Sequence, residues 1–400
     1  MKILLFSNLA LPDSCANATR VMNFAKQLRA AGHEIELLGV CYDQREALEG
    51  VCDGISYQML RAAPYFGIHA GKRIALLKKD LVAFLNAQPT YDAILLSNIY
   101  FDYADVFLKY AKKTGAKLIV NAVEWYDKTN GLFAGLTGKL NFVKNRIALR
   151  YIHKKMGNIL AISSLLNDYY KARGCNTVTV PTIVDMKEYE AVSAREGSSD
   201  GILRIAYAGS PARKDYVINA IRAVALLTDE ERSRLQLHFY GPQPSQLRLL
   251  GLSDEFLDQY QDQIVCHGRI PYAEVKGKVA DADFTVLLRP NKRYANAGFP
   301  TKVGESMACG TPVIANITSD LGKYILDGKT GIVCRDESPE ACAEAFRKAL
   351  MLNRNDLTRM RKFALEMAKT RFDYSNYLDA IGNFLEDSHA SNKTKHAPKE

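Results

Sequence analysis

No pair of cysteines in this chain is spaced CxxC. The eight cysteines stand singly at positions 15, 41, 52, 175, 266, 309, 334 and 342. That excludes the usual zinc-finger and dithiol redox signatures and suits reduced, buried thiols in a cytosolic protein. Apolar runs such as Ile94–Leu96 and Phe284–Leu288 fall far short of the ~18 residues of a membrane helix. Met1 leads straight into "KILLFSNLAL", without the charged region and small-residue cleavage site of a signal peptide. There is no GxGxxG fingerprint and no P-loop, and His33-Glu34 lacks the second histidine of HExxH. Interleaved aromatics on a basic module are also missing, which argues against nucleic acid as a partner.

What is present is an ordinary enzyme composition: 400 residues, 48% apolar and 24% charged, with a formal net charge of +9. The length predicts two or three domains. The charge favours anionic partners such as phosphorylated metabolites or an acidic membrane surface.

Strand-like and helix-like segments alternate along the chain. "KILLFSNLA" is followed by the helical spacing of Val21, Phe24, Leu28 and Ala31, closed by Gly32 and then by the strand "IELLGV". "AILLSN", a helix near 101–114, "KLIVNAV", "ILAISS" and "TVTVPT" continue the pattern. The polar stretch 189–201, "YEAVSAREGSSDG", reads as a linker. After it the alternation restarts with "LRIAYAGS", "DYVINAIRAVALL", "LQLHFYG", "QIVCHGRI", "ADFTVLLRP" and "TPVIAN". Such alternation predicts parallel sheets. The expected domains are therefore 1–190 and 201–371. A last amphipathic helix over 372–388 is expected to pack back on the first domain, and 389–400 to form a disordered tail. Two such α/β domains are expected to form a cleft between their strand ends, where ligands of open α/β sheets bind.

The segment "NAGFPTKVGESMACGTPVIAN" (296–316) places Gly298, Phe299, Pro300, Thr301 and Lys302 just before a small-residue helix, with the acid Glu305 one turn inside it. Thr301 suits an N-cap. Unpaired first-turn amides with Lys302 beside them would receive an anion, and Glu305 would reach a vicinal diol such as a ribose. Spacing alone equally fits a capped helix carrying an incidental acid.

These residues resemble the signature of family 4 glycosyltransferases of the GT-B type: Glu-Gly-Phe-Gly/Pro, four variable residues, Glu, then Ala-Met-Ala-x-Gly-x-Pro-Val-Ile. The likeness extends to "AKQLRAAGHEIELL", to "ILAISSLLNDYYKARG" with "VPTIVD", to "IAYAGSPARKDYVINAIRA" and to "IVCHGRIPYAEVKGKVADADFTVLLRP". It implies a GT-B fold, two Rossmann-like α/β domains, and a retaining transferase that needs no metal or other cofactor and uses a nucleoside diphosphate sugar (UDP or GDP) as donor. In that pattern Glu305 binds the nucleotide ribose. Lys214 and Arg213 grip the donor diphosphate, Gly209 and Ser210 lie beneath it, and Gly268, Arg269 and Ile270 line the base. Breaking the sugar–phosphate bond puts negative charge on the diphosphate, and cations with helix amides stabilise it.

Three departures are visible. The family's first Glu falls at Ala297. The first domain has "EWYDKTN" where relatives carry a His, leaving Glu124 and Asp127 as the acids that could orient an acceptor hydroxyl or take its proton. The loop "SCANATR" lacks a Gly-Gly pair, and Arg20 at the following helix is either a phosphate contact or a surface residue. Asp281-Ala-Asp283 precedes a strand, where the pattern has a structural Asp rather than a metal site.

The stretch 137–157 carries six Lys or Arg and no acid, with Leu140, Val143, Ile147 and Tyr151 on one face of a regular helix. With 71–85 it forms a basic amphipathic pair suited to an anionic membrane, which favours a lipid-linked over a free saccharide acceptor. The expected reading is a glycosyltransferase of cell-surface polysaccharide or glycoconjugate synthesis, cytoplasmic and peripheral on the membrane's inner face. The rivals are a sugar-nucleotide epimerase of the same architecture and a non-catalytic sugar-nucleotide-binding scaffold.

Overall fold

The structure is a computed structural model of the full chain and describes residues 1–12, 16–43, 47–62, 70–97, 101–125, 135–193, 195, 197, 200–210 and 214–393. It divides into two compact units, Met1–Ile183 with Tyr374–Glu400, and Val184–Asp373. The boundary thus falls ahead of the polar stretch read as a linker. Glu190–Ser193 is helical, and Arg195 binds Asp281 and the Gly277 carbonyl inside the second unit.

The first unit holds β1 (Lys2–Ser7), β2 (Glu34–Cys41), β3 (Glu49–Cys52), β4 (Ile55–Arg61), β5 (Ala93–Ser97), β6 (Lys117–Ala122), β7 (Asn158–Ala161) and β8 (Asn176–Thr179). They form one sheet in the order β3-β4-β2-β1-β5-β6-β7-β8. All pairings are parallel except β3 with β4. β1, β5 and β6 are buried almost end to end because helices cover both faces, which is why they read as unbroken apolar runs. The helix Ala16–Ala30 lays Val21, Phe24, Ala25 and Leu28 on this sheet.

The final helix, Leu378–Lys393, belongs to the same unit, and Ile381, Phe384 and Leu385 enter its core. The buried Lys117 ammonium donates to the Leu385 carbonyl at 2.7 Å. Residues 389–393, expected to be disordered, are the end of that helix; 394–400 lie outside the described residues.

The second unit holds β9 (Leu203–Ala208), β10 (Leu235–Tyr240), β11 (Ile264–Gly268), β12 (Phe284–Leu287), β13 (Val313–Asn316) and β14 (Gly331–Cys334). All are parallel, in the order β11-β10-β9-β12-β13-β14. The chain leaves β9 toward β10 and β11, then crosses to β12 on the other side. The strand order reverses between β9 and β12, and the crevice beyond their carboxyl ends is the ligand position such a sheet defines. The matching reversal in the first unit lies between β1 and β5.

Candidate donor and acceptor sites

Three adjacent strands of the second unit end in glycine at positive φ: Gly209 (131°), Gly241 (125°) and Gly268 (65°). Their backbones are stitched together. The Gly209 amide donates to the Tyr240 carbonyl at 2.8 Å, and the Gly241 amide to the Gly268 carbonyl at 2.7 Å. A Cβ on Gly241 would lie 2.4 Å from the Gly209 carbonyl oxygen. The carboxyl edge is therefore a floor of bare backbone. Gly268 and Gly209 were anticipated from sequence; Gly241 was not, although "HFYGP" ends like "AYAGS" and "VCHGR".

Above Gly209 stands Lys302. Its ammonium is 2.8 Å from Asp215 Oδ2, and the other Asp215 oxygen faces the Arg289 guanidinium at 3.7 Å. The Tyr207 hydroxyl shares its proton between Asp215 Oδ2 at 3.0 Å and the Ser210 carbonyl at 3.1 Å. The side chains of Asp215 and Arg289 are 10% and 6% exposed. Burial pushes the Asp215 carboxyl up, but Lys302 and Arg289 outweigh it and hold it below the usual value. The same burial, with Asp215 beside it, drives the Tyr207 phenol well above its ordinary value, so it stays a donor.

Asp215, Tyr207 and Arg289 were not picked out in the sequence. Asp215 reads there as a helix start, but the helix begins at Val217 and leaves Asp215 to the ion cluster. Lys214 precedes it and is half-buried. Arg213 lies outside the described residues.

The helix Thr301–Ala308 begins at this edge. Pro300, not Thr301, occupies its N-cap position, with φ −75° and ψ 114° and no side-chain cap. Proline supplies an extended entry but no oxygen, so the first-turn amides have no side-chain acceptor. Glu305 is half-buried one turn in. Burial raises its carboxyl above the ordinary value, against the opposing pull of Lys302 and Lys276. The Phe299 ring is 6% exposed and packs edge-on against Tyr324, with ring centroids 5.3 Å apart, and near Phe372. Gly298 has φ −83°, a backbone any residue adopts.

Ala297, in place of the family's first Glu, is fully buried at the end of the helix Arg293–Ala297. Beside it Asn296 Oδ1 accepts the Ser319 amide at 2.7 Å, and Asn296 Nδ2 donates to Asn291 at 2.7 Å. The Thr318 and Ser319 hydroxyls are buried without hydrogen-bond partners, and neighbour the strand-end residue Asn316. Arg269 is exposed, and Ile270 packs against Ala206, Tyr240 and Ala282. Asp281 pairs with Arg195 at 2.6 Å, while Asp283 accepts the Arg204 amide at 2.9 Å. The two acids thus serve separate structural contacts.

In the first unit, Ser7 ends β1 and Asn8 follows it, Ser97 ends β5, and Asn121 donates to the Ser97 hydroxyl at 2.7 Å. The Ser7 hydroxyl is buried without a partner. Glu124 is half-buried just past β6, and Asp127 lies outside the described residues. Trp125, the chain's single tryptophan, meets Tyr169 edge-on with ring centroids 4.8 Å apart, and the Arg173 guanidinium lies 3.5 Å from the Tyr169 ring centre. Residues 13–15 of the early loop lie outside the described residues. Arg20 is neither a phosphate contact nor a surface residue. It is 2% exposed and donates to the Val180 carbonyl at 2.8 Å, to the Pro181 carbonyl and to Asn121 Oδ1 at 3.3 Å. Burial lowers it to about 9, so it remains charged near neutrality.

The basic helix Gly135–Ile147 continues through a π-helical turn, Ala148–Ile152, into His153–Met156. Phe142, Asn145, Ala148, Leu149 and Met156 face the core. Val143 and Tyr151, expected on the apolar docking face, point outward at 50% and 60% exposure. The π turn holds an extra residue and rotates the face from Ala148 onward, which turns Tyr151 out; Val143, ahead of it, is outward because Phe142 and Asn145 take the buried face. The outward surface therefore combines Val143 and Tyr151 with the exposed Lys139, Arg146, Arg150, Lys154 and Lys155, while Lys144 is tied to Asp102 at 2.9 Å. Among the described residues no helix is long and apolar enough to cross a membrane.

The two parallel-sheet α/β units have the architecture of GT-B glycosyltransferases. Residues 188–367 match the family described as Glycosyl transferases group 1, so the second unit is a domain of that family. An uncharacterized glycosyltransferase of Methanocaldococcus jannaschii is 21% identical over 285 residues, 70% of each chain. The GDP-mannose-dependent alpha-(1-6)-phosphatidylinositol dimannoside mannosyltransferase of Mycobacterium tuberculosis is 29% identical over 180 residues, and the match spans 43% of each chain. Among solved structures, Anabaena HepE in complex with UDP and glucose superposes with a TM-score of 0.69 at 14% identity, covering 97% of this chain and 100% of that one.

Proposed function

We propose that this glycosyltransferase takes its sugar from a nucleoside diphosphate sugar, UDP- or GDP-linked, and transfers a hexose with retention to a saccharide or lipid-linked acceptor. The observation that carries this is the placement of Lys302 over Gly209 at the carboxyl edge of β9, beside an uncapped helix start that holds Glu305. A diphosphate fits such an edge: bare backbone below, a cation and helix amides above. As the bond from the anomeric carbon to the diphosphate oxygen breaks, its electron pair passes to the leaving group. Lys302, Lys214, Arg213 and the amides of Thr301 and Lys302 stabilise that charge. No metal is needed in this scheme. Glu305 accepts from the ribose hydroxyls, and Gly268, Arg269 and Ile270 flank the base. In the first unit Glu124 and Asp127 orient the acceptor hydroxyl or take its proton. The UDP and glucose in the HepE complex and the GDP-mannose dependence in the mycobacterial relative's name support either base as the donor's.

The outward basic surface of 139–155 supports action at the inner face of an anionic membrane, on glycoconjugate or cell-surface polysaccharide precursors. The test is incubation with UDP- and GDP-hexoses, with and without lipid extracts as acceptor. The expected result is nucleoside diphosphate release with a product of unchanged anomeric configuration. Donor bound but never consumed would instead support a non-catalytic sugar-nucleotide-binding protein, the reading to which Ala297 lends weight.

A further inference from the structure

Two cations, Lys302 and Arg289, meet one carboxylate, Asp215, at the edge where the donor diphosphate is proposed to bind. Neither cation is fully solvated: their side chains are 32% and 6% exposed. Buried cations without a counter-charge are costly, so a site built to receive a diphosphate needs something in its place when it is vacant. Asp215 has the geometry for this. One oxygen holds Lys302 at 2.8 Å and the other faces Arg289. Tyr207, donating to the Lys302-bound oxygen, fixes the carboxylate and lowers its hold on any one cation.

We propose that Asp215 is the resident counter-anion of the donor-diphosphate site, competing with the diphosphate for Lys302 and thereby limiting how tightly the nucleotide is retained. This rests on the functional reading above. The sign follows from charge. An incoming diphosphate is repelled by Asp215 and must share Lys302 with it. Without Asp215, Lys302 and Arg289 repel each other until the diphosphate arrives. Asp215 is a positioning residue that acts through Lys302. A merely structural acid in the same place would lower stability without tightening nucleotide binding.

Asp215→Asn keeps the shape and removes the charge. By calorimetry it is expected to bind UDP or GDP about three- to tenfold more tightly than the unmodified protein, with uridine and guanosine, which lack the diphosphate, unchanged. The ligand-free variant is expected to melt at lower temperature. Equal or weaker diphosphate affinity would overturn the proposal. Should Asp215→Asn not fold, Tyr207→Phe serves with the opposite sign. With the shared proton gone, Asp215 grips Lys302 harder, and UDP or GDP affinity is expected to fall at least twofold; no change or a gain overturns it. If the unmodified protein binds neither UDP nor GDP, the functional reading fails first and the counter-anion role with it. Binding by the unmodified protein without the Asp215→Asn gain defeats the counter-anion role alone.

Discussion

Lys302 and Gly209 share one small space at the carboxyl edge of β9: the Lys302 Cε lies 2.7 Å, and its ammonium 3.2 Å, from where a Cβ on Gly209 would sit. Gly209 also has φ 131°, which L side chains rarely adopt. Gly209→Ala therefore strains the backbone by roughly 1–3 kcal/mol and pushes the ammonium aside. We expect at least a tenfold loss of UDP or GDP affinity by calorimetry, together with a lower melting temperature. An unchanged affinity would place the diphosphate elsewhere.

Glu305 links binding to stability. Its carboxyl is raised above 4.5 chiefly by burial. The folded protein thus holds that proton more firmly than the unfolded chain. The resulting stability is fully present below the ordinary pKa and is lost as pH rises through the raised one. Glu305→Gln removes the charge at every pH. The variant should melt above the unmodified protein at pH 8, with the gap closing toward pH 4, while its nucleotide affinity falls. A melting difference independent of pH would contradict the assignment.

Arg20 closes a structural contact in the first unit. Arg20→Met leaves the carbonyls of Val180 and Pro181 and the Asn121 amide oxygen without their donor. A lost partner at a buried acceptor costs ~1–3 kcal/mol, so a loss of about 3 kcal/mol or more in urea unfolding is expected. Binding of UDP and GDP, assigned to the other unit, should be unchanged in the fraction that folds.

Membrane attachment is read by vesicle sedimentation. Replacing Arg146, Arg150, Lys154 and Lys155 with Ala removes four exposed cations. At about 1 kcal/mol per charge near an anionic surface, partitioning onto phosphatidylserine-containing vesicles should fall by roughly a thousandfold. Neutral phosphatidylcholine vesicles should bind both proteins weakly. Retained binding to the anionic vesicles would remove this surface from the account.

Much of the fold was legible because parallel strands covered on both faces must be apolar throughout. "KILLFS", "AILLS" and "KLIVNA" could be little else. The β3–β4 edge was missed because "EGVC" is short and half-exposed, without the burial that makes a strand readable. Lys302 and Glu305 were found from their place in one local segment. Tyr207 and Asp215 lie eight residues apart in one segment without a helical or strand repeat to link them, and Arg289 joins them only when β9 and β12 become neighbours. A helical repeat of constant period fails at Tyr151 because a π turn interrupts it at Ala148–Ile152, and at Val143 because Phe142 and Asn145 carry the buried face of the helix there. Ile183/Val184 divides the units where composition gives no sign, since the polar 189–201 stretch folds onto the second unit.

The edge bearing Lys302 and Glu305 is proposed to hold a nucleoside diphosphate sugar. The most direct test is a thermal-shift panel of UDP- and GDP-sugars on the unmodified protein and on Glu305→Ala, since a ligand bound only by the folded state raises its melting temperature. At least one of these donors is expected to stabilise the unmodified protein by several degrees, and Glu305→Ala to abolish most of the gain. No stabilisation by any member of the panel, or a gain of equal size in Glu305→Ala, would contradict that placement of the donor.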